Sequence, residues 1–376
     1  MSWLFNSLRG RIADVMVTPL TIHGRKDALR RMREAGYRIA AVLPIHYPRA
    51  LLRACGFHPV EVWGPARVDS RGGDLRFQAY TCAIVRNAVS LLSEGKLDPA
   101  DVLLVPHTCD ALQGMGSVLG DFVKPHQRVL TLYHPRSGGP AALGFLVDEL
   151  RRLQQELSAH GGRQPTDADW KEALGVEAEA DAALAALYRD RTRLPLTDRE
   201  FYTVVRAREY LPPEEFAALA SAVPHGERAQ APGVPLMLSG IVCEPMEVFD
   251  QINSVGGRIV ADDLACGYRR VYPPVADGPP LERLARALLG APPDPTRGSP
   301  IAERAAALVR RMRETGAKGL LVYDVKFCEP ELFDLPRLRA HLAEAGFPMI
   351  HVEHELTPGI SQQVLTRVEA FLETLQ

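Results

Sequence analysis

The chain has 376 residues, 46% hydrophobic and 24% charged, which is room for two domains with cores of their own. Lys plus Arg (44) against Asp plus Glu (46) leaves a formal net charge of −2, and with no basic aromatic stripe this excludes nucleic acid as an expected partner. No apolar run is long enough to span a bilayer and the opening Met1-Ser2-Trp3-Leu4-Phe5 lacks the pattern of a secretory leader, so no membrane is expected and a cytoplasmic location follows, where six cysteines serve as buried thiols or metal ligands rather than disulfides.

In chain order, residues 39–45 read as a first strand running into His46-Tyr47-Pro48, with a helix from about Arg49. Residues 59–63 read as a second strand. Residues 81–94 read as a helix opened by Cys82, with Ile84, Ala88, Leu91 and Leu92 at helical spacing. The apolar run 102–105 is a strand ending in Pro106-His107-Thr108-Cys109-Asp110, and 128–133 is another. Strands alternating with helices predict a parallel sheet covered on both faces. Residues 145–225 change character: Leu146, Leu150, Leu153 and Leu157 make a helical stripe and 178–187 is Ala-rich. Residues 224–226 and 230–233 read as a linker. A second unit follows. Strand 234–238 leads to Cys243-Glu244-Pro245, a helix spans 246–254 and stops at Gly256-Gly257, and strand 258–261 ends in Asp262-Asp263 with Cys266-Gly267. An amphipathic helix spans 301–315, strand 319–324 precedes Cys328, a last strand spans 348–352 and a last helix 361–375. The expected fold class is α/β, with two Rossmann/flavodoxin-like parallel-sheet domains joined by a helical segment. The N-terminal α/β domain, 1–144, carries Cys82 and Cys109; the helical bridge is 145–232; the C-terminal α/β domain, 233–376, carries Cys328. Leu103-Leu104-Val105 then Cys109-Asp110 echoes Leu320-Leu321-Val322 then Cys328-Glu329, as if two related units faced one another.

No C-x-x-C occurs, which removes ferredoxin, zinc-ribbon and thioredoxin readings. Cys82, Cys109 and Cys328 each follow a strand or open a helix, where open α/β sheets bind ligands and where a helix N-terminus favours thiolate. Three thiolates in one crevice form an incomplete tetrahedral set, able to hold an iron–sulfur cluster with one open iron; three buried core thiols, or a metal-free protein binding a small ligand, are the alternatives. Cys55, Cys243 and Cys266 read as buried thiols. For proton handling, His46, Tyr47 and His107 stand just beyond predicted strands and Glu244 at a strand exit; capping or solvent-facing roles are the alternatives for each. Glu353 follows the last strand, with a structural salt bridge as its alternative. Neither a Walker A motif nor G-x-G-x-x-G is present, so ATP binding is expected in a partner.

Tyr47-Pro48-Arg49 with Gly56, Cys82 with Arg86, Pro106-x-x-Cys109-Asp110, Gly240-x-x-Cys243-Glu244, Asp262-Asp263 with Cys266-Gly267-x-Arg269, Phe327-Cys328, Glu353 and Thr366-Arg367-x-Glu369-Ala370-Phe371 form an ordered set over nearly the whole chain. In this the chain resembles the cluster-binding subunits, of the smaller beta or C type, of 2-hydroxyacyl-CoA dehydratases and benzoyl-CoA reductases. The resemblance implies one [4Fe–4S] cluster per chain on Cys82, Cys109 and Cys328, a homologous larger subunit, and an ATP-hydrolysing iron–sulfur activator protein. It implies one-electron reduction of an acyl-CoA thioester to a ketyl radical with loss of water, or, in a benzoyl-CoA reductase, electron entry into the aromatic ring. An electron-relay subunit without its own substrate site is the further alternative. Arg269 and Arg270 are candidates for CoA phosphates or a surface pair. Ala50 stands where the family often has an acidic residue, which removes an acid/base candidate there. Pro292-Pro293-Asp294 replaces the extra cysteines of a double-cluster group, which implies one cluster only.

Overall fold

Most strands of this chain are buried along most of their length, the inner ones above all. In the computed structural model, which describes residues 15–17, 20–63, 69–136, 138–226, 232–356 and 360–376, they form two separate four-stranded sheets. The opening residues and part of the 230–233 linker lie outside the described residues. A short antiparallel pair, β1 (Val15–Val17) and β2 (Leu20–Ile22), comes first. The first sheet holds β3 (Arg38–Val42), β4 (Phe57–Glu61), β5 (Val102–His107) and β6 (Arg128–Tyr133) in the order β4-β3-β5-β6, all parallel. The second holds β7 (Val234–Gly240), β8 (Gly257–Leu264), β9 (Gly319–Val325) and β10 (Met349–His354) in the order β10-β9-β7-β8, again all parallel. Every residue of β9 is buried, as expected of an interior parallel strand. Glu353 lies within β10 rather than after it.

The helices are α1 (Arg25–Glu34), α2 (Arg49–Ala54), α3 (Arg71–Asp74), α4 (Ala83–Ser93), α5 (Asp110–Val118), α6 (Pro140–Ala159), α7 (Asp167–Arg189), α8 (Asp198–Ala207), α9 (Pro213–Ser221), α10 (Glu247–Ser254), α11 (Pro280–Leu289), α12 (Ile301–Thr315), α13 (Glu329–Glu344) and α14 (Gln362–Glu373). The Leu146, Leu150, Leu153 and Leu157 stripe of α6 is fully buried against the first sheet. Helix α7 starts at a capping box made by Thr166 and Asp169. Its first turns, through Trp170 and Ala173, belong to the core of the first sheet, and its last, through Leu184, Leu187 and Tyr188, to the core of the second. One continuous helix thereby packs into both units. Helices α1, α3, α5, α11 and α13 and the β1–β2 pair were not expected from the sequence.

Both sheets reverse direction of growth at their middle. In the first, the chain steps outward from β3 to β4 and returns to place β5 on the other side of β3; in the second, β9 lies across β7 from β8. A crevice opens beyond the carboxyl ends of the strands at each such point. The two crevices face one shared space.

Candidate functional site

That space is a cavity of about 510 Å³. Its walls come from the exits of the four central strands: Pro44 and Ile45 after β3, Cys109 and Asp110 after β5, Ile241 after β7, Phe327 and Cys328 after β9. The loop before α4 adds Phe77, Gln78, Tyr80, Thr81 and Cys82, and the segment before α12 adds Pro295 and Thr296. Cys82, Cys109 and Cys328 line this one cavity, although 27 and 219 residues separate them along the chain.

Each of the three is the N-cap residue of a helix: Cys82 of α4, Cys109 of α5 and Cys328 of α13. All three thiols therefore stand at the positive ends of helices. Cys82 and Cys328 are buried and Cys109 half-buried. Burial pushes the Cys82 thiol up to about 12, while the N–H groups of Ile84 and Val85 pull the other way without forming a capping hydrogen bond. Burial likewise raises Cys109 to about 11, against the N–H groups of Leu112 and Ala111. Cys328 is raised well above its ordinary value, through burial and then the charges of Cys82, Asp324 and Glu331. A cation bound between them would reverse this, since a coordinating thiol is deprotonated by its metal. Among the described residues no three His, Cys, Asp or Glu side chains converge on a single ion. The three sulfurs are thus spread around the cavity wall, unlike the tight shell of a structural zinc site.

Other sequence candidates stand behind the wall. His46 is 1% exposed, at φ +55°, and does not line the cavity. Its Nε2 is 3.0 Å from Asp294 Oδ2 and its Nδ1 3.4 Å from Tyr272 Oη. Burial first, then the Arg297 charge, lowers its pKa to about 4, so the ring is neutral and Nε2 donates to Asp294. Tyr47 is also buried and donates from Oη to Glu61 Oε1 at 2.9 Å. His107 is half-buried, stacks edge-on against Tyr133 at 4.5 Å, and is turned away from the cavity; neither ring nitrogen has a hydrogen-bond partner. Glu244 pairs with Arg206 outside the cavity. Arg269 and Arg270 are no surface pair: Arg269 bonds Asp263 (2.9 Å) and Glu331 (2.7 Å), and Arg270 bonds Glu61 (2.9 Å), leaving neither free for a phosphate. The reason is charge balance, since Asp263 and Glu61 are themselves buried and demand a cation.

The sequence reading missed Asp294, Asp324 and Phe333. Asp294 joins His46 to Thr296, whose N and Oγ1 donate to its Oδ1 at 2.7 and 2.6 Å. Asp324, at the end of β9, is fully buried, and neither of its oxygens has a hydrogen-bond partner; His351 Nε2 stands 3.6 Å away. Burial raises it to about 7. A lone Asp closing an apolar strand was the available signal. Phe333 is 76% exposed at the cavity mouth on α13, beside Tyr80 at 63%.

Comparison with known proteins agrees with this picture. The family model described as 2-hydroxyglutaryl-CoA dehydratase, D-component, matches residues 44–375. The chain is similar to lactoyl-CoA dehydratase subunit beta of Anaerotignum propionicum, 26% identical over 356 residues, covering 91% of this chain and 93% of that one. It is 23% identical over 359 residues to the (R)-phenyllactyl-CoA dehydratase beta subunit of Clostridium sporogenes, covering 93% and 95%. It is 26% identical over 369 residues to the C-type subunit of the benzoyl-CoA reductase of Thauera aromatica, covering 93% and 94%.

Proposed function

Because the chain belongs to the 2-hydroxyglutaryl-CoA dehydratase D-component family, we propose that it is the iron–sulfur subunit of a 2-hydroxyacyl-CoA dehydratase-type enzyme. Cys82, Cys109 and Cys328 would hold one [4Fe–4S] cluster. The observation that carries the reading is their shared placement: three soft sulfurs, each at a helix start, around one cavity. Three protein donors leave the fourth position to the cavity side, which suits a cluster with one reactive iron. Bound there, the group would supply an electron at low potential and a Lewis-acidic iron.

The chain's own residues do the rest by holding and by excluding. Ile45, Ile84, Val85, Ile241 and Phe327 make the wall apolar and keep water from a reactive acyl group. His46 and Asp294 tie the β3 exit to the Pro295-Thr296 segment, so two walls keep their spacing. His46, Tyr47, His107 and Glu244 do not line the cavity, so the role proposed for them is positioning. The electron would come from an ATP-hydrolysing iron–sulfur activator, and an acyl-CoA thioester would be reduced in company with a homologous larger subunit, as the beta-subunit names of the relatives support. Residues 1–144 and 233–376 would be the two cavity-forming domains and 145–232 the bridge. Among the described residues no helix is long and apolar enough to cross a membrane, and a cytoplasmic setting is proposed. A second reading, subunit of an ATP-dependent benzoyl-CoA reductase, is supported by the similarity to the Thauera aromatica protein; a relay role without a substrate site is compatible with either.

Anaerobic reconstitution followed by iron and sulfide analysis tests the proposal. Four irons per chain are expected, with most of the iron lost in Cys328→Ser; pure protein holding iron only at background would end it. Substrate binding by the Cys328→Ser variant in the assembled enzyme separates a relay from a substrate site.

A further inference from the structure

Three cysteines lie outside the cavity, and two of them, unlike the solitary Cys55, stand together. Cys243 follows β7 and Cys266 follows β8, the neighbouring strand. Their loops are stitched together by Cys266 N to Ile241 O (2.9 Å) and Ala265 N to Gly240 O (3.1 Å). The two sulfurs are 3.8 Å apart and fully buried. Met246 Sδ, at the start of α10, stands 3.8 Å from Cys243 Sγ. None of the three lines the cavity.

We infer that Cys243, Cys266 and Met246 form a second site, separate from the cavity, for a single soft cation of the copper(I) class. Metal–sulfur bonds of about 2.2–2.3 Å in a planar three-coordinate arrangement separate their sulfurs by about 3.9 Å. The two separations made by Cys243, 3.8 Å to Cys266 and 3.8 Å to Met246, match that spacing. Two thiols and a thioether are the donor set that selects copper(I) over harder ions. A tetrahedral ion would need a fourth ligand, and the carboxylate of Glu244, next to Cys243 in the chain, is engaged by Arg206. Two thiolates and one monovalent cation leave one negative charge, which faces the half-buried Arg206 guanidinium, itself shared with Glu244 and Glu209. Met246, only partly buried, is the route of entry. Binding breaks two S–H bonds, forms two metal–thiolate bonds and one metal–thioether bond, and releases two protons to solvent. No atom changes oxidation state.

The test uses the full chain, reduced and anaerobic, competing for copper(I) against the chromogenic chelator bicinchoninate. One equivalent is expected to be withheld from the chelator, with a sulfur-only shell by X-ray absorption. The same equivalent is expected in the Cys82→Ser, Cys109→Ser, Cys328→Ser triple variant, so the result stands whether or not the cavity carries a cluster. It should vanish in Cys243→Ser and in Cys266→Ser, checked for fold by circular dichroism. Met246→Leu keeps the packing volume and should weaken binding about tenfold or more. No withheld equivalent in the native chain, or equal uptake by folded Cys243→Ser, overturns the site. If both serine variants unfold, Met246→Leu decides, and unchanged affinity there overturns it.

Discussion

Glu61 carries more of the interior than its position at the end of a strand suggests. Its carboxylate takes hydrogen bonds from Tyr47 Oη (2.9 Å), Trp63 Nε1 (2.6 Å), Arg270 Nη1 (2.9 Å) and Arg49. Burial works against its charge, but the guanidiniums of Arg270 and Arg49 outweigh burial and hold it at about 2. Glu61→Gln leaves two buried cations short of a partner, so a loss of about 3–5 kcal/mol is expected in urea unfolding. A carboxylate held below its ordinary 4.5 stabilises fully above that value and loses its contribution as pH falls toward 2. The gap between Glu61→Gln and the native chain should therefore be constant from pH 5 to pH 8 and shrink in acid. Asp324 is the opposite case. Burial raises it to about 7, so its charge costs stability as pH rises through that value. In the metal-free chain, Asp324→Asn should melt higher than the native chain at pH 8, with the advantage fading by pH 5 in scanning fluorimetry. The thiols of the cavity were legible in sequence because each closes an apolar strand or opens a helix. The partners of Arg269 and Arg270 were not, since Glu61 and Glu331 lie 209 and 62 residues away and a charge read alone is read as exposed.

Strand β7 faces Tyr323 of β9 at Gly240, whose φ is +141°. A Cβ built there would come 2.2 Å from the carbonyl oxygen of Tyr323, on backbone that cannot yield cheaply. Gly240→Ala should push the β7 exit away from β9 and displace Ile241 from the cavity wall. A drop of several degrees in the thermal midpoint is expected, together with weaker retention of iron through gel filtration. The central strands were readable because an interior parallel strand is a plain apolar run. Helix α13 was not, because Pro330 sits in its first turn and Pro336 inside it. Proline at a helix start is tolerated, but an interior proline removes a hydrogen bond and blurs the pattern. Phe333, on the turn between them, went unread with it.

Among the described residues three histidines are buried, and a fourth half-buried, as neutral rings: His46 and His58 at about 4, His134 and the half-buried His354 at about 3, each lowered chiefly by burial. A histidine held below its ordinary 6.5 stabilises the fold above that value and ceases to do so as pH falls through the folded one. Stability should therefore fall steeply between pH 6.5 and pH 4, with proton uptake on unfolding measurable by calorimetry in buffers of different ionisation heat. His58→Gln, which keeps a donor toward Tyr210 O at 2.8 Å, should flatten that fall. The two-sheet plan was legible from the alternation of strand and helix, and the facing of the two units from the echo between Cys109-Asp110 and Cys328-Glu329, whereas the contacts behind that meeting were not, because α7 packs into both cores and Arg270 reaches Glu61 across them. That meeting also sets a schedule for the growing polypeptide. Cys82 and Cys109 leave the ribosome with more than half the sequence still to be made before Cys328 emerges. A nascent chain can offer two of the three cavity sulfurs and no more, so a cluster held as proposed could be delivered only to a nearly finished protein.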